Sequence, residues 1–132
     1  NDAYNANPDS MRAGVDALAY TATGRTGAEA VAVLGRMAEL GEGTVAEHTA
    51  LGHYLSTRGV REAVVVGEGA ELDALADAAR AEGVTVYRAA DTDAAVAHLA
   101  TVLHPGDVVL VKASYSDGLW RVADGLHDKE TK

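Results

Sequence analysis

The residues best suited to bind a ligand are gathered at the start of the chain. Positions 2–7 contain a carboxylate, a phenol and two amides, on Asp2, Tyr4, Asn5 and Asn7. An amide offers both a donor and an acceptor, so it can read the edge of a nucleobase, and a carboxylate can hold ribose hydroxyls. The alternative is an asparagine-rich turn, because Asn7-Pro8 has the form of a helix N-cap followed by proline. The residues alone leave both interpretations open.

The other polar motifs are weaker candidates for chemistry. Gly67-Glu68-Gly69 lies between an apolar run and a helical pattern, but Leu72 stands at the third glycine position of a dinucleotide loop, so a tight turn explains both glycines. His48 lies near an apolar stripe, which favours a packed, hydrogen-bonded histidine over a catalytic one. Ser114 and Ser116 have no evident histidine–acid partner, and no metal site is predicted.

Composition excludes several classes of function. The chain has 132 residues, enough for one compact domain, and a net charge of -9. Such an acidic surface repels phosphate backbones and anionic lipids, so neither nucleic-acid nor membrane binding is expected. The absence of cysteine excludes disulfides and thiolate chemistry. The first residue is Asn and no signal peptide or long apolar run is present, so we expect a cytoplasmic piece of a longer protein.

Apolar patterning predicts an α/β fold. Four short apolar runs at 31–34, 63–66, 84–87 and 108–111 are mostly continuous, as in strands covered on both faces. Helical patterns precede the first run, separate the runs and follow the last, where 117–126 is expected to be helical. This alternation predicts one domain, residues 1–132, with a mainly parallel three-layer sheet that carries helices on both faces.

Helix boundaries also follow from the sequence. Asn7 should cap the first helix, and Thr44 with Glu47 has the spacing of a capping box. Gly83 is placed to end the third helix, and Asp91 or Thr92 can cap the fourth, which should run to Pro105-Gly106.

Ligands in open parallel sheets bind beyond the carboxyl ends of the strands. The segments 35–43, 67–71 and 112–117 occupy those ends, and the opening loop would join them if a strand preceded it. Lys112 ends the fourth run, so its ammonium is expected at this edge, in water or beside an anion such as a ligand phosphate, a carboxylate or Glu39.

Three ordered blocks of the sequence resemble signatures of the Mur ligases that attach D-alanyl-D-alanine. Residues 1–11 are similar to D-x-Y-N-A-N-P-x-S-M, residues 33–42 to V-L-G-D-M-x-E-L-G-E, and residues 105–112 to P-G-D-x-V-L-V-K. His48 and Gly52 follow the second block at the spacing of the family. The blocks span essentially the whole chain.

The resemblance implies the Rossmann-like C-terminal domain of a three-domain, ATP-dependent ligase of peptidoglycan synthesis. The absent amino-terminal domain would hold the UDP-N-acetylmuramoyl-tripeptide, and the absent central domain the phosphate loop and magnesium. The domain present here would contact ATP and position D-alanyl-D-alanine, and by itself it would be inactive. Residues assigned to ATP binding are Asp2, Tyr4, Asn5 and Asn7. Residues assigned to substrate binding or closure are Glu39, His48, Lys112 and Ser114.

Two departures from the family pattern concern the dipeptide site more than the ATP site. Arg36 stands where the family usually has Asp, which reverses a charge. Ala113 and Tyr115 replace a glycine and an arginine of the usual Lys-Gly-Ser-Arg. The competing hypothesis is a non-catalytic α/β module for nucleotide sensing or protein interaction, which accounts for the sheet but not for the three ordered blocks.

Overall fold

A computed structural model describes residues 7–38 and 40–112 of the chain. Four strands alternate with four helices, and a short 3₁₀ turn, Gly41–Gly43, precedes the second helix. The elements in chain order are α1 Pro8–Thr23, β1 Ala30–Leu34, α2 Thr44–Thr57, β2 Glu62–Val66, α3 Ala70–Ala81, β3 Thr85–Ala89, α4 Thr92–Val102 and β4 Val108–Lys112. No helix in these two ranges is long and apolar enough to cross a membrane.

The strands form one parallel sheet in the order β3-β2-β1-β4. Every residue of β1 and of β2 is buried, because these two central strands are covered on both faces. Ala32 and Val65 pack with α1, α2 and α3 on one face, and Val33 and Val64 pack with α4 on the other. The predicted three-layer α/β fold with helices on both faces is confirmed.

Helix α1 runs antiparallel to β4. Its carboxyl half lies beside Val108 at the start of the strand, while Gly14 lies against Leu110 and Lys112 at the end of the strand. Asn7 precedes Gly14 by seven residues, about 10 Å of helix. The amino terminus of α1, and with it the entry from the opening loop, therefore lies at the carboxyl edge of the sheet.

The two helices α2 and α3 are held close together at Gly52. A Cβ atom at this position would lie 2.4 Å from the carbonyl oxygen of Leu75 and 2.8 Å from the Cβ of Ala78. Glycine is therefore required at position 52 for the close approach of the two backbones.

Most predicted helix boundaries are confirmed. Asn7 caps α1, Asp91 caps α4 by accepting the N–H of Ala94, and Gly83 follows α3 with φ of 90°. The capping box at Thr44 is wrong, because Thr44 is already helical and Gly43 is the N-cap. Helix α4 ends at Val102, before the predicted Pro105-Gly106, and the helix predicted at 117–126 lies outside the described residues.

Candidate functional site

Three of the eight predicted site residues fall within the described ranges: Asn7, His48 and Lys112. The other five lie outside them, namely Asp2, Tyr4, Asn5, Glu39 and Ser114. The departures at Ala113 and Tyr115 also lie outside. The geometry of the site is therefore built from the described residues at the carboxyl edge of the sheet.

Asn7 forms a complete capping box at the start of α1. Its Oδ1 accepts the backbone N–H of Ser10 at 2.9 Å, and the hydroxyl of Ser10 accepts the backbone N–H of Asn7 at 3.1 Å. The capping interpretation thus accounts for Oδ1. The Nδ2 group takes no part in the cap, and the contact of Asn7 with a nucleotide stays a prediction.

His48 is fully buried on α2 and reaches the segment that follows β1. Its Nε2 lies 3.0 Å from the backbone nitrogen of Met37, and its Nδ1 lies 2.7 Å from the carbonyl oxygen of Thr44. Because both ring nitrogens are engaged with the backbone, His48 has neither nitrogen available to contact a substrate in this arrangement. His48 is thus packed in the core and hydrogen-bonded to the backbone, as its position near the apolar stripe favours.

Arg36 points from the end of β1 to the turn between β2 and α3. One guanidinium nitrogen donates to the carbonyl of Glu68, and Nε lies 3.5 Å from the carboxylate of Glu71 in the first turn of α3. The positive charge that departs from the family pattern is therefore matched by an acidic residue across the edge. This contact joins two of the segments at the carboxyl ends of the strands.

A second arginine holds the same turn from the other side. Arg88 of β3 donates to the carbonyl of Gly67 at 3.0 Å and to the carboxylate of Asp73 at 2.6 Å. Gly67 and Gly69 have φ of 109° and 135°, which L side chains rarely adopt. The turn interpretation of Gly67-Glu68-Gly69 thus accounts for both glycines.

Lys112 is the last residue of β4, as its position after the apolar run predicts. It pairs in register with Leu34, and its side chain passes Gly14 of α1. Its residue surface is only 1% exposed, so the side chain is enclosed between α1 and the sheet instead of extending freely into solvent. The identity of an anion bound by Lys112 stays a prediction.

The model of the "Mur ligase, glutamate ligase domain" family matches residues 1–115. The chain belongs to the Mur ligase family. It is 46% identical to the UDP-N-acetylmuramoyl-tripeptide–D-alanyl-D-alanine ligase of Mycobacterium tuberculosis, over 98% of this chain and 28% of that enzyme. The enzyme of the same name from Mycobacterium leprae is 44% identical over 95% of this chain and 26% of its own length.

Solved structures agree with this family. The MurF ligase of Thermotoga maritima in complex with ADP aligns with a TM-score of 0.73 at 28% identity, covering 94% of this chain and 26% of that one. The chain spans about a quarter of the length of the relatives that it matches. The resemblance inferred from the three sequence blocks is confirmed.

Two contributors to the edge of this Mur ligase domain were missed by sequence reasoning. Arg88 ends an apolar run in the same way as Lys112, so the rule that singled out Lys112 would also have found Arg88. The backbone N–H of Met37 carries no signal in the sequence, because its importance depends on a histidine eleven positions away. Within 7–38 and 40–112, no group of three or more His, Asp or Glu residues could hold a metal ion.

Proposed function

We propose that this chain is the C-terminal domain of a cytoplasmic, ATP-dependent ligase that joins D-alanyl-D-alanine to UDP-N-acetylmuramoyl-tripeptide. The observation that carries the proposal is the 46% identity to a ligase of that name over 98% of the chain. The complex of a structural relative, the MurF ligase of Thermotoga maritima, with ADP supports the use of ATP.

In the proposed reaction the carboxylate of the UDP-linked peptide attacks the terminal phosphorus of ATP, which forms an acyl phosphate and releases ADP. The amine of the dipeptide then attacks the acyl phosphate, and inorganic phosphate leaves as the amide bond forms. The domain contributes binding and closure to this reaction, whereas the phosphate loop and the site of magnesium belong to the absent central domain. No step is assigned to magnesium on the present chain.

The arrangement of the carboxyl edge supports this division of labour. The amino terminus of α1, the segment after β1 and the end of β4 meet at one edge, where ligands of parallel sheets bind. We assign ATP contacts to Asp2, Tyr4, Asn5 and Asn7, and dipeptide binding or closure to Glu39, His48, Lys112 and Ser114. For His48 the hydrogen bonds favour an indirect contribution.

A domain exchange tests the proposal directly. This chain would replace the C-terminal domain of the Mycobacterium tuberculosis ligase, and release of phosphate would be measured with and without D-alanyl-D-alanine. We expect dipeptide-dependent turnover within about tenfold of the parent enzyme, a difference of about 1.4 kcal/mol in activation free energy. The parent enzyme truncated before this domain is the control and should be inactive. A folded chimaera without dipeptide-dependent turnover would favour the alternative of a non-catalytic module.

The 132-residue chain alone should not turn over ATP, and it should bind nucleotide weakly. Within the chimaera, Asp2→Ala and Asn5→Ala should each raise the Michaelis constant for ATP, because loss of a hydrogen bond to the nucleotide costs roughly 1–3 kcal/mol. Unchanged constants for both variants would return the opening loop to a purely structural role.

A further inference from the structure

Three consecutive residues after β1 are each tied to a different element. The N–H of Gly35 donates to the carbonyl of Lys112 at 3.1 Å, which joins the segment to β4. Arg36 contacts the turn before α3 and the carboxylate of Glu71, and the N–H of Met37 reaches His48 on α2. The backbone at 35–37 is thus fixed by β4, α3 and α2 together. These three contacts lie at the carboxyl edge of the sheet, where the proposed function places its ligands.

Of these three contacts, only the one to α2 involves an imidazole ring, that of His48. The geometry of its hydrogen bonds determines which ring nitrogen carries the hydrogen. A backbone N–H can only donate, so the Nε2 of His48 must present a lone pair to Met37. The carbonyl oxygen of Thr44 can only accept, so Nδ1 must carry the hydrogen. His48 is therefore neutral, with its hydrogen on Nδ1.

The burial of both partners makes this contact hard to replace. His48 has no exposed surface and Met37 is 1% exposed, so water does not reach the N–H of Met37 in the folded state. A buried donor without an acceptor carries its full desolvation cost, and relief requires the backbone to move. Loss of Nε2 would therefore displace the segment from its place beside the turn that Arg36 contacts.

We infer that His48 is a positioning residue that acts through the backbone of Met37 and, on the proposed function, sets the affinity for the incoming dipeptide without touching it. The inference rests on the proposed function for its kinetic part only. The tautomer and the restraint on Met37 are properties of this chain. A histidine that instead transferred a proton would need a ring nitrogen directed at the reactants, and both are directed at backbone groups.

Two substitutions separate the two ring nitrogens. In His48→Gln, the side-chain oxygen reaches the position of Nε2 and can accept from Met37, but the donor to Thr44 is lost. In His48→Asn, the side-chain amide occupies the position of Nδ1 and can donate to Thr44, but nothing reaches Met37. The two variants are neutral and polar, and each leaves a smaller side chain in the same buried site. They form a matched pair for the hydrogen bond to Met37.

The structural arm uses the 132-residue chain and nuclear magnetic resonance. The chemical shifts of the two ring nitrogens of wild-type His48 should show a neutral ring with its hydrogen on Nδ1. The amide of Met37 should exchange slowly in the wild type and in His48→Gln, and at least about tenfold faster in His48→Asn. Hydrogen on Nε2, or equally fast exchange in all three proteins, would overturn the inference. The wild-type measurement decides the tautomer even if a variant fails to fold.

The kinetic arm uses the chimaera described above. His48→Asn should raise the Michaelis constant for D-alanyl-D-alanine at least about fivefold while kcat stays within about twofold, and His48→Gln should restore the wild-type constant. A fall in kcat without a change in this constant, or no difference between the two variants, would contradict positioning of the dipeptide. A wild-type chimaera that shows no dependence on dipeptide would refute the proposed function, and the structural arm would still decide the restraint on Met37.

Discussion

The carboxylate of Asp107 accepts the backbone N–H of Glu29 at 3.1 Å, across 78 positions of the chain. The same carboxylate accepts the backbone N–H of His104 at 2.8 Å and lies 3.4 Å from the guanidinium of Arg61. Because Ala30 pairs with Val108, this side chain joins the turn before β4 to the start of β1 at the amino edge of the sheet. Asp107, which belongs to the third sequence block, therefore links β1 to the turn before β4 at the edge of the sheet opposite the proposed site.

Asp107→Asn should destabilise the chain. An amide has only one acceptor oxygen, so its NH₂ group must face one of the two backbone donors, and the free energy of unfolding should fall by about 1–3 kcal/mol. Chemical denaturation measures this change. Asp77→Asn, on the exposed side of α3, is the control and should stay within about 0.5 kcal/mol. Equal stability of the two variants would mean that the bonds to Asp107 contribute nothing.

Stability should also depend on pH through Asp107. Burial by itself raises the pKa of this carboxyl, but the N–H groups of His104 and Glu29 and the charge of Arg61 outweigh it, so the pKa of Asp107 lies below its ordinary value. A carboxyl with a lowered pKa in the folded state stabilises fully above its unfolded pKa, about 4, and loses this contribution as pH falls through the folded value. The stability difference between wild type and Asp107→Asn should therefore shrink below about pH 4. A constant difference down to pH 2 would contradict this.

Local patterns predicted the two central strands well because β1 and β2 are buried on both faces. The continuous apolar runs at 31–34 and 63–66 are typical of strands covered on both faces, and both lie in fully buried strands. By contrast, β2 begins one residue early, at Glu62, a buried carboxylate that lies 2.5 Å from Nε2 of His98. That pair depends on α4 docking 36 positions later, so no local pattern could include Glu62 in the strand.

The candidate site was less predictable than the sheet. Asn7 and Lys112 were found from local rules, because capping and strand ends have sequence signatures. The contacts of Arg36 and Arg88 with the turn at Gly67 form only when the segment after β1, the turn after β2 and strand β3 come together. Two of the four contacts go to the backbone carbonyls of Gly67 and Glu68, which carry no sequence signal, and the other two go to Glu71 and Asp73, which only the folded chain brings beside these arginines.

Gly52→Ala tests the close approach of α2 and α3. Alanine is the better helix former by about 1 kcal/mol, but its Cβ would lie 2.4 Å from a backbone carbonyl oxygen that cannot move aside cheaply. We expect the steric effect to dominate and the free energy of unfolding to fall by about 1–3 kcal/mol. Gly43→Ala, where a Cβ meets nothing within 4 Å, should change it by less than about 1 kcal/mol. A stabilised Gly52→Ala variant would show that the helices separate without cost.

Two substitutions separate the capping role of the Asn7 Oδ1 atom from a role of its Nδ2 group in nucleotide binding. Asn7→Ala removes the acceptor for Ser10 and should cost about 1 kcal/mol, whereas Asn7→Asp keeps that acceptor and should preserve stability. In the chimaera, a raised Michaelis constant for ATP in Asn7→Asp, with stability unchanged, would assign the Nδ2 group to nucleotide binding. If only Asn7→Ala affects the constant, and in proportion to its loss of stability, Asn7 serves α1 alone.

Lys112 provides the sharpest test of the carboxyl edge. Because its side chain is buried, a substitution of similar size can remove the charge while the packing is kept. Its side chain is enclosed beside Gly14, and methionine has a similar length and volume without the ammonium. If the ammonium serves an anionic substrate or domain closure, Lys112→Met in the chimaera should lower kcat/KM at least about tenfold, corresponding to about 1.4 kcal/mol. Thermal unfolding should remain cooperative, since methionine fills the same space. Efficiency within twofold of the wild type, or a loss explained by unfolding, would reduce Lys112 to a structural end of β4.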